Sequence, residues 1–245
     1  MENLMGTNAK TQRLCAWAGV LANVLWVVGE IPFTHWWAPH SPLWGPSEVA
    51  KLFQTNTTAI VIGLILFGFG GALYLPWTAE ISVQLKRIEG KNSPLTYVNL
   101  GLGACFVWVF LIPWVLWQVI AFRASTASPE ILWILDDLAW ITNISPVNIV
   151  LIQGISIGIA VLSDKHSKPI FPRWFGWYSI ASVFSFLPGA FSPLFETGPI
   201  AWDGLLSFWI PFATYLAWMT VTTVMLLKAI KRQEQEELSG IETIK

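Results

Sequence analysis

Charge is what this sequence has least of. Asp, Glu, Lys and Arg together make up 12% of 245 residues, about half the share of an ordinary soluble domain. A soluble fold of this length could not cover its apolar surface with so few charges. The bases are dispersed and the net charge is -1, which excludes the concentrated basic face that nucleic acid requires. Cysteine is nearly absent. Cys15 and Cys105 both fall at or inside apolar stretches, so neither a disulfide framework nor a thiolate metal site is expected. Three histidines are too few for a histidine-rich di-iron centre. No nucleophile elbow, phosphate loop or haem ligand pair is present. No cofactor and no metal is expected, and the balance leans away from an enzyme.

What remains is apolar and aromatic. Hydrophobic residues are 54% of the chain, with sixteen Trp and fifteen Phe against four Tyr, and the mean hydropathy is +0.57. Indole rings favour a membrane interface, where an apolar body meets a polar tip. A spanning helix needs about 20 largely apolar residues. On that criterion the chain divides into spans at 14–36, 58–83, 98–122, 145–162, 174–195 and 205–227. A further helix, 129–143, carries Asp136 and Asp137 before the fourth span and is expected either at the interface or as an extension of that span, with a break near Pro146. The fold class is thus an all-α integral membrane protein, a bundle of six transmembrane helices with an extra interfacial helix before span four.

Lys and Arg set the orientation. Lys10, Arg13, Lys86, Arg87, Lys91, Lys165, Lys168, Arg173, Lys228, Lys231, Arg232 and Lys245 share the side of the N-terminus, against Lys51 and Arg123 on the other. Both termini are therefore expected in the cytoplasm. The organisation is a cytoplasmic segment 1–13, a transmembrane domain 14–232 and a frayed cytoplasmic tail 233–245.

Every span contains proline: Pro32, Pro76, Pro113, Pro146, Pro188 with Pro193, and Pro211. Each frees a backbone carbonyl that neighbours must satisfy, which predicts kinked helices and room for a cavity. Gly68 with Ala72, and Gly154 with Gly158, have the four-residue spacing that lets helices approach closely.

The outer face is acidic and aromatic, with Glu30, Glu48, Glu130, Asp136, Asp137, Glu196 and Asp203 beside many Trp. A cation arriving there would meet carboxylates and ring faces together. Glu30 stands out, because about 24 Å into the first span a bare carboxylate is costly and must be protonated, paired or hydrated. Asn23, Trp26 and Glu30 share one helix face. The expected ligand-binding set is Glu30, Asn23, Trp26, Gln118, Trp114, Asp137 and Trp140. As metal ligands, His35, His40, Asp136 and Asp137 offer suitable donor types at no recognised spacing. Asn148, Gln153 and Ser156 in the fourth span are expected to hydrogen-bond across helices, and Glu80 is expected at the inner interface.

The runs Leu73-Tyr74-Leu75-Pro76-Trp77, Phe171-Pro172-Arg173-Trp174-Phe175-Gly176, and Thr197-Gly198-Pro199 leading into Ala201-Trp202-Asp203-Gly204-Leu205-Leu206 resemble those of uncharacterised six-pass bacterial membrane proteins. The resemblance implies the bacterial inner membrane and carries no activity, cofactor or site residue. The leading functional expectation is a small transporter or lipid-handling accessory that binds an apolar, amphipathic or cationic small molecule or lipid. A structural or assembly subunit with a membrane-protein partner comes second, and a membrane enzyme using the outer carboxylates third.

Overall fold

The computed structural model describes residues 2–34 and 39–238, so His35, Trp36 and Trp37 lie outside the described residues. Within these limits every regular element is helical. Helix α1 (Glu2–Val28) runs into a π-helical turn (Gly29–Phe33), followed by the short α2 (Pro46–Thr55) and the long α3 (Thr57–Glu89) and α4 (Pro94–Arg123). Helices α5 (Pro129–Ile144), α6 (Val147–Leu162) and α7 (Arg173–Phe184) follow, then a 3-10 stretch (Leu187–Leu194), a second π-helical turn (Leu205–Trp209) and α8 (Ile210–Leu238).

Five stretches are long and apolar enough to cross a membrane: Asn8–Phe33, Thr57–Glu89, Pro94–Arg123, Pro129–Leu162 and Leu205–Glu236. The surface agrees with that solvent. On α1, Leu14, Trp17, Leu21, Val24 and Val28 recur at helical spacing and all point outward, the reverse of a helix that faces water. The chain is a multi-pass, all-helical membrane protein.

The stretch 174–195, expected as one span, is not one helix. Pro188 has no amide hydrogen to bond the Phe184 carbonyl, and α7 ends at Phe184. Pro193 lies inside the 3-10 stretch that follows. The expected break near Pro146 separates α5 from α6, with Pro146 itself at ψ 44°. Both helices nonetheless run back along α4: Trp117 bonds Asp136 and Asn99 bonds Gln153, at nearly equal separations on the two sides.

Two further expectations are corrected at the end where residues 13, 87 and 232 gather. The segment from Gln233 is helical as far as Leu238. Glu234 pairs with Arg13, while Glu236 reaches Arg87 at 3.4 Å and Arg232 at 2.7 Å. Arg232 also donates to the carbonyls of Lys168 and Pro169. Glu80 is buried among helices, accepting from Gln84 at 2.7 Å. Its position inside α3 reflects a polar chain of Glu80, Gln84 and Gln12 that joins α3 to α1.

Small residues bring the helices together. A Cβ at Gly68 would lie 2.7 Å from Trp114 Cε2, and one at Gly158 would lie 2.4 Å from Ile180 Cγ1. Ala72 faces outward, and Gly71, packed on Phe110, takes its place beside Gly68. The central polar network is interhelical. Tyr74 Oη donates to Gln153 Oε1 at 2.6 Å, Gln153 Nε2 to Asn99 Oδ1 at 3.2 Å, and Asn99 Nδ2 to Ser82 Oγ at 2.8 Å. Asn148 is exposed and takes no part in it.

Candidate functional site

Two polar centres interrupt the apolar bundle. The first lies at the end away from the Arg13–Glu234 pair, where α2 and α5 pack over the ends of α3 and α4. Helix α5 buries Leu132, Asp136, Ala139 and Trp140, the three- and four-residue spacing of one helix face. Asp136 Oδ2 lies 2.5 Å from His40 Nε2. Trp117 Nε1 donates to Asp136 Oδ1 at 3.0 Å, and Trp140 Nε1 donates to His40 Nε2 at 3.1 Å. Trp202 Nε1 donates to the His40 carbonyl at 2.9 Å, and Trp44 stacks on the imidazole with centroids 4.7 Å apart. The side chains of His40 and Asp136 are 6% and 1% exposed.

The two bonds at His40 Nε2 are alternatives. An indole N–H only donates, so Trp140 bonds Nε2 where that nitrogen offers its single lone pair. Where Nε2 carries the proton, it donates to Asp136 Oδ2 instead. Nδ1 has no hydrogen-bond partner among the described residues. Beside this centre, partial burial pushes the Asp203 carboxyl up from its usual range, opposed by its own backbone amide and by His40. The chemistry ties together the segment before α2, α4, α5 and the turn around Trp202.

The second centre is a cavity of about 120 Å³ in the middle of the bundle, whose lining includes Trp26, Glu30, Phe110, Asn143, Ser207 and Tyr215. It forms where α-helical periodicity fails. Glu30 belongs to the π-helical turn that contains Pro32, and Ser207 and Phe208 to the turn that precedes Pro211. Ile144, Pro146 and Val147, at the α5–α6 break, form another wall. Widened or broken turns leave gaps that regular ridges and grooves would fill. The walls are largely aromatic: Trp26 stacks on Phe110 at 4.5 Å and lies 5.6 Å from Tyr215. Among the described residues nothing forms a hydrogen bond or ion pair with the Glu30 carboxylate; only its backbone carbonyl is engaged, by the Thr34 hydroxyl.

The expected ligand set is thereby divided. Trp26 and Glu30 line the cavity. Asn23, on the same helix, instead donates to the Leu216 carbonyl and to Thr220 Oγ1 of α8, at 3.3 and 3.4 Å. Trp114 packs on Gly68, and Gln118 sits half-buried one turn further along α4, outside the lining. Trp140 belongs to the His40 centre, and Asp137 is half-buried beside Asp136. Among the described residues no three His, Cys, Asp or Glu side chains converge as metal ligands.

Sequence reasoning passed over Trp117 and Tyr215, and it named Trp202 without giving it a site role; all three reach their sites from distant elements. It also placed Asp137 ahead of Asp136. The four-residue step from Asp136 to Trp140, with Leu132 four before, was the available signal for which carboxylate faces inward. Comparison of the chain with protein-family models, curated proteins and solved structures gives no match.

Proposed function

We propose that this protein is a six-pass component of the bacterial inner membrane, with both termini cytoplasmic, that binds a small apolar or amphipathic molecule in its central cavity as a small transporter or lipid-handling accessory. The observation that carries this reading is the Glu30 carboxylate, unpaired among the described residues, in an aromatic cavity built from irregular turns. A concave, mostly apolar space with a few convergent polar groups is the usual form of a small-molecule site, and an unpaired carboxylate within a membrane span marks function more often than packing.

The sixth crossing rests on the segment between Lys168 and Trp202. Lys168 meets Arg232 near the ionic end, and Trp202 meets His40 near the other. Helix α7 rises about 18 Å and the 3-10 stretch about 16 Å, together enough for a hydrocarbon core of about 30 Å. The Lys and Arg bias supports cytoplasmic termini.

Native mass spectrometry of the chain released from lipid nanodiscs tests the function. A reproducible bound small molecule, lost when Val150→Phe fills the cavity, is expected. A stoichiometric protein companion on a chain free of small molecules would overturn this reading in favour of an assembly subunit.

A further inference from the structure

The lining of the cavity points to the class of molecule it takes, an inference that rests on the ligand-binding reading above. Among the described residues Glu30 is the sole carboxylate in that lining, and no Lys, Arg or His accompanies it. Helices α3 and α4 offer it Phe67, Phe106, Val109 and Phe110, and the α5–α6 break offers Asn143 and apolar side chains. The turn between α7 and the 3-10 stretch contributes Phe186, and α8 with its leading turn contributes Ser207, Phe208 and Tyr215, the last being the only other titratable group among the described residues of the lining. Among the described residues the site therefore offers one carboxyl group without a cationic partner, set among aromatic side chains.

We propose that the cavity binds a small organic monocation, a primary ammonium carrying a single aromatic ring, and that this cation and a proton compete for Glu30. Ring faces attract a cation lying within about 6 Å of their centroids. A desolvated ammonium–carboxylate contact is among the stronger hydrogen bonds a protein makes. A neutral guest would leave Glu30 either charged and unpaired, which hydrocarbon surroundings penalise, or protonated. At about 120 Å³ the cavity is somewhat smaller than an apolar cavity of about 150 Å³ that holds one benzene, so the guest carries no more than one ring. The exchange balances in charge: the ammonium enters, the protonated carboxyl of Glu30 loses its proton to water, and an ion pair remains. No covalent bond to carbon forms or breaks.

The test is isothermal titration calorimetry of the full chain in detergent micelles with benzylammonium and with ethylbenzene, its uncharged isostere, subtracting titrations into empty micelles. Benzylammonium is expected to bind at least about tenfold tighter than ethylbenzene. Repeating the titration in buffers of different ionisation heat, at pH values where benzylammonium keeps its own proton, should show proton release. Release should approach one per cation at the acidic end, with affinity rising as pH rises. Glu30→Gln should bring the two probes to similar affinity. The proton count comes from the unmutated chain, so it stands even if that variant fails to fold. Equal or tighter binding of ethylbenzene, or no proton release at any pH, would overturn the cation proposal and leave the cavity as an apolar site. Binding of neither probe would remove the ligand-binding reading itself, and this proposal with it.

Discussion

His40 and Asp136, 96 residues apart in sequence, meet through Nε2 and Oδ2 at 2.5 Å inside a shell of four tryptophans. Substituting either partner strands the other in apolar surroundings, together with the indole N–H that addressed it. Asp136→Ala and His40→Ala are each expected to cost about 3 kcal/mol or more. The double variant should cost less than their sum, by about 1 kcal/mol or more. Equilibrium unfolding in mixed micelles, followed by far-UV circular dichroism, measures both. Additive losses would mean that the pair is not coupled.

Gly158 tests the closeness of α6 and α7. A Cβ there would lie 2.4 Å from Ile180 Cγ1 and 2.8 Å from the Gly176 carbonyl oxygen, so backbone as well as side chain must yield. Gly158→Ala is expected to lose about 1–3 kcal/mol in the same assay. Gly101, with nothing within 4 Å of its added Cβ, should tolerate alanine unchanged or slightly stabilised.

The ionic latch at the end of α8 should act locally. Glu236 meets Arg87 and Arg232 with its side chain about one-fifth exposed, and partly exposed pairs contribute about 0.2–1 kcal/mol. Glu236→Gln is expected to raise hydrogen exchange in the last turns of α8 while leaving unfolding of the bundle within about 0.5 kcal/mol of the parent. Added salt should reproduce part of the effect in the parent protein.

Helix α2 carries a pH dependence of known sign. Glu48 Oε2 accepts from the Ser47 hydroxyl at 2.9 Å and the Gly45 amide at 3.2 Å. The Ser47 bond, then backbone amides, hold its carboxyl below the usual glutamate range. A folded value below the unfolded one means the contribution is complete above the ordinary glutamate range and is lost as pH falls through the lowered value. Relative to Glu48→Gln measured at the same pH, the first turn of α2 should therefore exchange more slowly near neutral pH, and the two should converge as acid protonates Glu48.

How much of this was legible in the sequence depended on whether the cause was local. Hydropathy located the five long helices, because about 20 apolar residues in a row is a property of one segment. The 174–195 stretch has similar composition, but Pro188 removes one donor at the point where α7 ends, a detail that an average over the segment conceals. Glu30 could be singled out because its cost follows from depth along its own helix. Its neighbours Ser207 and Tyr215 could not, since they arrive from the far end of the chain. Asp136 and Asp137 are adjacent, and turning about 100° per residue sends one to His40 and leaves the other half-buried. The step from Leu132 through Asp136 to Trp140 marked the inward face, but the His40 that Asp136 meets there, 96 residues away, comes into reach only once the helices are packed.

The stacking of Trp44 on His40 gives the molecule an optical signal of its own. An indole's emission depends on what lies against its ring. With Trp44 on the face of His40 and Trp140 at its edge, any rearrangement that parts the segment before α2 from α5 changes the surroundings of these two among the chain's sixteen indoles, so the difference between the parent's emission and that of Trp44→Phe reports on the contact without an attached dye.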